Sequence, residues 1–563
     1  METAWWILMR DHEAFVIEDF NGLWMRGDKE SVPDDHFIQA DNIQFIHSGI
    51  KTRDGISPYQ NPQLLSSDII RVYNYTMQTG QSLLILTTGG RIYHLVGGNT
   101  LHGPILTIPA MEDFGFVAYN GRAYITPFKT YVDAQGVNYE LGLQNEFVYV
   151  YKGDGTQARP AGGPKPTGGP LVLALGALGQ GMATDAGFHI VAVVYETDTG
   201  YFTVPGPEVF GSLAYTGAHT IDVSNIPISP NPYVIKRHLV STKEILDYNG
   251  DQAGYQFFFI PDGNIDNNTQ TTKNLKYFDQ DLIADASYLF DNFDQIPAGV
   301  NLTIYHSRLV VVGEFGTTET LAGLPPGITD NRSIARLSVS GEPEAMHKID
   351  GIIIVPLDGS PLTNAQEIRD ILYVFKKTRT YAYADNFDEP VTWKEQALDQ
   401  AMGAPVHGVM TFLDAGGINV DFLVIANQSG LLLFNGTFAR PELSWKIEDF
   451  WKLIDKNAYR YVSVMGDPQT KKLWITLPPP FRHVLLFADF GNGLDAKGIR
   501  WAQWQFNTNM TSMCFIEPNK IVLGAATTYP GLYFINPVNK HDSYYTVNVK
   551  IPDPLIRTAF IGA

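Results

Sequence analysis

Apolar residues recur along most of this chain at every second position, the period of a strand with one buried face. Four stretches share one grammar: TGGRIYHL (88–95), YNGRAYIT (119–126), YHSRLVVV (305–312) and FKKTRTYAY (375–383). Each sets a small or polar turn, then an arginine (Arg91, Arg122, Arg308, Arg379), then alternating apolar residues. Weaker copies are NQSGLLLF (427–434), QTKKLWIT (469–476) and PNKIVLGA (518–525), with Gly430, Lys472 and Lys520 at the arginine position. Strand-like runs such as SLLILTT, FGFVAYN, NLTIYH and ILYVFKK precede the turns. The pattern predicts seven hairpins, each with its basic residue toward solvent and its alternating side chains toward a core. Their spacing, mostly roughly 30–50 residues, is the blade length of a β-propeller of about seven blades. A tandem of β-sandwiches sharing this hairpin idiom is the alternative. No WD dipeptide closes the blades, and no sialidase-type Asp-box occurs.

One interval is too long for a blade. Between Arg122 and Arg308 a Gly/Pro linker, GTQARPAGGPKPTGGP (155–170), introduces further short strands: GFHIVAVVYETDTGYFTVPGP, HTIDVSNIPISP, PYVIKRHLVST, GYQFFFIPD and KNLKYFDQDL. Strands and turns at that spacing predict an inserted immunoglobulin- or fibronectin-like β-sandwich, and loop-closure entropy makes such an insertion inexpensive. The expected organisation is an N-terminal arm (1–42), a first part of the propeller (43–164), the sandwich (165–292) and the rest of the propeller (293–563).

Composition narrows the functions. Among 563 residues, 40 Lys+Arg against 59 Asp+Glu give a formal net charge of -19. That argues against a broad basic face for nucleic acid and describes a surface past which DNA would slide without sticking. The single cysteine, Cys514 in TSMCFIEP, excludes an intrachain disulfide framework and a Cys-rich zinc site, and reads as a small core hydrophobe. METAWWILMRDHE lacks a basic n-region and a small-residue cleavage site, so no secretory signal is expected. LVLALGALG (171–179) is too short to span a bilayer, so no membrane insertion is expected. The reading is a protein made in the cytoplasm.

Candidate chemistry is sparse. DGNIDNNTQTTK (262–273) opens with Asp262, Asn264 and Asp266 at calcium-loop spacing, but Asn267 replaces the required Gly and Lys273 the bidentate Glu, so a plain hairpin loop is expected. GALGQG (176–181) lacks the helix and acidic residue of a nucleotide-binding turn. Asp113, Asp385, Asp449 and Asp489 sit in aromatic settings (EDFGF, YADNF, IEDFW, FADFGN) and would have to pair across blades to act as glycosidase carboxylates. No catalytic residue, cofactor or metal is expected. WKIEDFWKLID (445–455) is the clearest helix: Trp445, Phe450 and Trp451 form an aromatic stripe that packs on the propeller or meets a partner. DFNGLWMRG (19–27) sets Phe20, Leu23 and Trp24 around an Asn21-Gly22 turn, as a peg docking the arm on the first sheet or a neighbour before NIQFIHSG enters the propeller.

The ordered set of motifs resembles tail proteins of double-stranded DNA phages, the virion proteins of the nozzle or distal tail tube of short-tailed particles. The matched pieces are Asp19-Phe20-x-Gly22-Leu23, Val32-Pro33, Ala40-Asp41-Asn42, Gly49-x-x-x-Arg53-x-Gly55, GYFTVPGP, NIDNNTQTT, SVSGEPEAM, GDPQTKKLWITLP, HVLLFADFGNG and RWAQW, covering nearly the whole chain. The resemblance implies a non-enzymatic structural protein located in the virion tail. It would form a homo-oligomeric ring, most simply a hexamer, around a channel that DNA crosses during ejection without specific binding. Portal or adaptor and tail-fibre proteins would be its partners, and acidic residues would line the lumen. A carbohydrate-binding or glycoside-hydrolysing propeller is the alternative.

Overall fold

The computed structural model describes residues 21–28, 31–33, 35–46, 49–59, 65–77, 80–178, 187–206, 209–214, 219–248, 254–290, 293–315, 331–347, 351–356, 358, 360–399, 401–412, 422–467, 469–517, 520–538 and 548–550. Seven small antiparallel sheets follow one another around a circle. Blade 1 runs through Ile69–Met77, Gly80–Thr87, Arg91–Val96 and Thr100–Thr107, and blade 2 through Asp113–Tyr119, Arg122–Val132, Tyr149–Tyr151 and Arg159–Pro160. Blade 3 contains Asn301–Tyr305, Arg308–Val312, Ile334–Val339 and Glu342–His347, with Phe293–Asp294 on its edge and Ile352–Ile354 beside its third strand. Blade 4 contains Leu362–Ile368, Ile371–Lys376, Thr380–Ala384 and Glu395–Asp399, and blade 5 Val409–Phe412, Phe422–Asn427 and Gly430–Phe434. Blade 6 contains Ser463–Asp467, Lys472–Thr476, Val484–Asp489 and Arg500–Gln505, and blade 7 Asn509–Glu517, Lys520–Ala526 and Gly531–Asn536.

The circle closes. Ile69–Met77 of blade 1 packs on Asp113–Tyr119 of blade 2 and on Asn509–Glu517 of blade 7. Gly55–Pro58, far upstream, completes blade 7 by pairing antiparallel with Gly531–Asn536. The chain is therefore a seven-bladed β-propeller with one sandwich inserted.

Each of the seven hairpin repeats falls in its own blade, though not at one place within it. The turn joins the first and second strands in blades 2, 3, 6 and 7, and the second and third in blades 1, 4 and 5. The expectation of one buried face also changes. Blades stack face to face, so middle strands such as Leu83–Leu86, Val310–Val312 and Val484–Asp489 are buried on both sides. The repeat arginines show the same crowding: Arg91 is exposed, whereas Arg122, Arg308 and Arg379 are half-buried.

The insert leaves blade 2 after Pro160 and returns at Phe293. One sheet places His219–Ser224 between Val172–Leu178 and Lys273–Leu275; the other has the order Phe210–Ala214, Phe188–Thr197, Val234–Thr242, Phe257–Ile265. Val191, Val193, Ile221, Leu239 and Phe258 fill the space between them. The sandwich is as expected, but its first strand pairs with the fourth, not with the second as in the immunoglobulin order. The loop after Asp262 is organised by buried Arg237, which donates to the carbonyls of Pro227 (2.9 Å), Asn267 (3.1 Å) and Gln270 (2.6 Å). Of GALGQG, the described residues lie in the first strand of the insert, and the remainder is outside the described residues.

Blade 1 carries a pH-sensitive group. His94 is fully buried, with Nδ1 2.8 Å from the Tyr151 hydroxyl and its ring stacked on His102. Burial first, and the His102 charge second, push its pKa from 6.5 down to about 4. Unfolding below pH 6.5 therefore takes up a proton that the folded protein refuses until about pH 4, so stability falls across that window as pH drops. The loss is of order 3 kcal/mol. Denaturant titrations at pH 7 and pH 5 should show about 2 kcal/mol of it, the share that falls above pH 5, and His94→Gln should remove most of that difference.

Candidate assembly site: the docked arm

The arm begins, among the described residues, at Asn21, so the expected contribution of Phe20 lies outside them. Gly22 has φ 86, and a Cβ there would lie 2.6 Å from the Trp501 backbone nitrogen. Only glycine lets the arm approach the last strand of blade 6 this closely. Leu23 N–H then donates to the Trp501 carbonyl (2.9 Å), Phe37 N–H to that of Gly22 (2.9 Å) and Trp24 N–H to that of Phe37 (2.8 Å). Further along, Met25 N–H donates to the Lys446 carbonyl (2.6 Å) and Asp449 N–H to that of Met25 (3.0 Å). Gly27 N–H reaches the Asp449 carboxylate at 2.7 Å.

Trp24 and Trp445, from opposite ends of the sequence, meet edge to face at 5.1 Å, and His36 packs on Trp24 at 4.9 Å. The Arg26 guanidinium lies 4.4 Å above the Trp445 ring and pairs with Glu448 at 3.0 Å. The structure thus brings two separately predicted aromatic motifs into one site. The helix is shorter than its aromatic stripe suggests: Leu443–Ile447 is 3-10 and only Glu448–Lys452 is α. Leu23 (1%), Phe450 (7%) and Trp451 (3%) belong to the core of this chain, and the Trp451 indole donates to the Asn427 carbonyl of blade 5. Those three are thus not available as a partner surface. Trp24, Arg26, Trp445 and Glu448 are the half-buried residues left at the surface.

Lys446 was not foreseen. It is 3% exposed, and its ammonium donates to the carbonyls of Lys497 (2.7 Å), Ile499 (3.0 Å) and Asn21 (3.3 Å). Burial lowers its pKa to about 8, with Asp35 and Asp495 opposing the fall. The one available signal was a lysine between Trp445 and Ile447, inside an otherwise apolar run.

The arm's course departs from expectation. It docks on blade 6 and the segment leading into it, not on the first sheet. Gln39–Asp41 runs parallel to Arg500–Gln505 through Asp41 and Gln503. Ile43–Ile46, expected as the first propeller strand, forms a separate hairpin with Gly49–Thr52. Buried Arg53 follows, donating to Asn42 (2.9 Å) and the Gln505 carbonyl (3.1 Å), and Gly55–Pro58 then enters blade 7. Trp24→Ala should loosen the arm by about 1–2 kcal/mol, the scale of a lost aromatic pair and partial burial. Hydrogen exchange at residues 23–27 should then accelerate while the blade interiors stay protected; unchanged exchange would argue against the peg.

At the propeller axis, Arg71 of blade 1 pairs with Asp113 of blade 2 through Nε–Oδ1 (3.1 Å) and Nη2–Oδ2 (2.6 Å). It also donates to Ser463 of blade 6 at 2.7 Å, while His407, just before blade 5, lies 3.2 Å from Asp113. Burial alone would raise the Asp113 carboxyl, but Arg71 and His407 hold it well below the carboxylate range. Burial and the Arg71 charge lower the His407 pKa against the pull of Asp113. Blade 2 also extends a hairpin, Phe128–Val132 with Asn138–Gly142, to blade 4, where Lys377 donates to the Asn138 carbonyl (2.8 Å) and pairs with Glu140 (3.0 Å). Side chains of blades 1, 2 and 6 and of the segment before blade 5 thus meet here, and blade 2 is tied to blade 4.

The four aspartates considered as glycosidase groups all have local duties. Asp113 holds Arg71, Asp385 holds His306 (3.1 Å), Asp449 caps the arm and Asp489 pairs with Arg500 (2.6 Å). A cleft of about 220 Å³ opens instead between insert and blade 3, lined by Tyr201, Phe202, Tyr288, Phe293, Arg122 and Glu342 among others.

No protein-family model matches the chain, and no curated protein does. Among solved structures, the crystal structure of BBS1N in complex with ARL6DN aligns over 87% of this chain and 100% of that one, at 8% identity and a TM-score of 0.26. The crystal structure of BamB from Moraxella catarrhalis aligns over 67% and 100%, at 9% identity and a TM-score of 0.26. The propeller assignment rests on the order and closure of the sheets.

Proposed function

We propose that this chain is a structural subunit of a phage tail, a segment of the nozzle or tube wall through which DNA leaves the particle. The supporting observation is the convergence of the resembling motifs. Gly22-Leu23, Ala40-Asp41-Asn42 and Arg53 all bond to the RWAQW strand or its end, while GDPQTKKLWITLP and HVLLFADFGNG supply the neighbouring strands of the same sheet. Motifs from both ends of the sequence form one joint. The ion pair and hydrogen bond that tie blades 1, 2 and 6 together and the locally committed aspartates suit a rigid structural part. The channel in this reading lies between subunits, and the net charge of -19 lets DNA pass without being held.

Negative-stain images and mass measurement of the purified protein test the proposal. Closed rings of one stoichiometry, a hexamer in the simplest case, are expected, with no retention of duplex DNA at physiological salt. A strictly monomeric protein at micromolar concentration, or a lumen lined with Lys and Arg, would overturn it. The aromatic cleft beside the insert favours glycan binding as a second reading. Saturable binding of cell-surface oligosaccharide, lost in Tyr288→Ala, would support that reading.

A further inference from the structure

The apolar run at 171–179, too short to cross a bilayer, supplies an edge strand of the inserted sandwich. That strand, Val172–Leu178, reads VLALGAL, with no charged residue and no proline. Its sheet places His219–Ser224 between it and Lys273–Leu275, so among the described residues its ladder runs on one side only. Val172 is 55% exposed, Leu175 40% and Leu178 71%. Across the sandwich it packs on the edge strand of the second sheet, Phe210–Ala214 (FGSLA), which is uncharged as well. One side of the insert therefore offers open backbone donors and acceptors among apolar side chains.

Outer strands elsewhere carry the usual protection. Proline stands inside Thr100–Thr107 of blade 1 (Pro104) and ends Gly55–Pro58 of blade 7, and acids bound Glu395–Asp399 of blade 4. On the far side of the insert, Phe257–Ile265 contains Pro261-Asp262, and Lys273–Leu275 opens on a lysine. Such residues keep sheet edges from joining. Charge selects the occupant of the unprotected side. Each copy carries a net -19, so two copies approach most readily where neither presents a carboxylate. A two-fold axis sets a strand antiparallel to its own copy and brings like residues together, which a strand bearing one sign of charge would oppose. Centred on Ala174, the register sets Leu173 against Leu175 and Val172 against Gly176 of the second copy, with no charges opposed. The nearest acid along the ladder is Asp222, which pairs with Ala174. In the joined sheet the two Asp222 residues stand three strand spacings apart, about 14 Å. That exceeds the screening length of about 8 Å at physiological salt.

We propose that two copies of this chain pair through Val172–Leu178, joining two three-stranded sheets into one of six strands. Main-chain hydrogen bonds between the two edges supply the attraction, and burial of Val172 and Leu175 adds to it. The contact pairs copies and does not propagate a ring, so it stands apart from the assembly proposed for the propellers.

The test uses the untagged full chain carrying Ala174→Cys. Facing Cα atoms of an antiparallel pair lie about 4.5–5.5 Å apart, within disulfide reach, and the natural cysteine, Cys514, is buried. Mild oxidation should give a covalent dimer, whereas Gln396→Cys, exposed on the acid-bounded strand of blade 4, should stay single. By mass measurement the wild-type chain should pair at micromolar concentration, and Ala174→Lys should weaken pairing by more than about tenfold. Mixing Ala174→Lys with Ala174→Glu chains should restore it, because opposite charges then face each other. Discrete dimers without rings would uphold the contact and overturn the ring. Rings that form with no crosslink at residue 174 would overturn the contact and leave the ring intact. A wild-type chain that stays single would overturn the pairing and leave the edge to a strand of another protein. Open-ended aggregates that Ala174→Lys does not suppress would overturn it too.

Discussion

Asp113→Ala is expected to destabilise the propeller by about 3–5 kcal/mol, measured as a fall in its denaturant midpoint. The two side chains are 4% and 2% exposed, so removing the carboxylate leaves the Arg71 guanidinium charged, desolvated and without its bidentate partner. Arg71 is also where blades 1, 2 and 6 meet, so the damage reaches beyond one pair. The double variant Arg71→Met/Asp113→Leu should recover most of the loss, because apolar replacement of a buried pair often costs little. A single-variant loss below about 1 kcal/mol would mean that water reaches the bore and screens the ions. The sign with pH follows from the depressed carboxyl. Its contribution is complete above the ordinary aspartate value of 3.8 and disappears only as the pH falls far below it.

Arg159→Ala should have a comparable effect, of about 3–5 kcal/mol, with a different signature. Arg159 ends blade 2, and its guanidinium reaches Asp198 (2.7 Å) and Thr199 (2.6 Å) in the insert and Glu344 (2.9 Å) in blade 3. Glu344 is 2% exposed, so without Arg159 a buried carboxylate loses its main counter-charge. The same residue ties the sandwich to blades 2 and 3, alongside Lys152 on Asp198 (2.9 Å) and Arg122 on the Thr199 carbonyl (2.9 Å). The variant should therefore split one thermal transition into two and expose the linker at 163–170 to protease. Cleavage no faster than in wild type would show that the sandwich is held in place by other contacts.

The blade count was legible because each blade carries one turn that the sequence marks with a small or polar residue and, in six of the seven, a base. The position of that turn within the blade was not, because Arg91 and Arg122 stand in the same idiom yet open a third and a second strand. The insert announced itself through the Gly/Pro linker. Trp24 and Trp445 were each visible as surface aromatics, but their pairing depends on contacts across almost the whole chain, and no local pattern encodes those. Arg71, Asp113 and His407 were illegible as a group for the same reason. Ile43–Ile46 misled because an apolar run suits a side hairpin as well as a blade strand, whereas the true closing strand, Gly55–Pro58, is short and carries little apolar signal.

Closure by Gly55–Pro58 also sets a timetable for synthesis. That strand leaves the ribosome roughly half a minute or more before its partner Gly531–Asn536, at ordinary rates of translation. Throughout that interval the nascent amino-terminal segment carries open backbone donors and acceptors that another copy could capture on a crowded polysome. Locking the wheel is thus among the final acts of folding, and a defect there would surface as aggregation during production before it appeared as lost stability in the finished molecule.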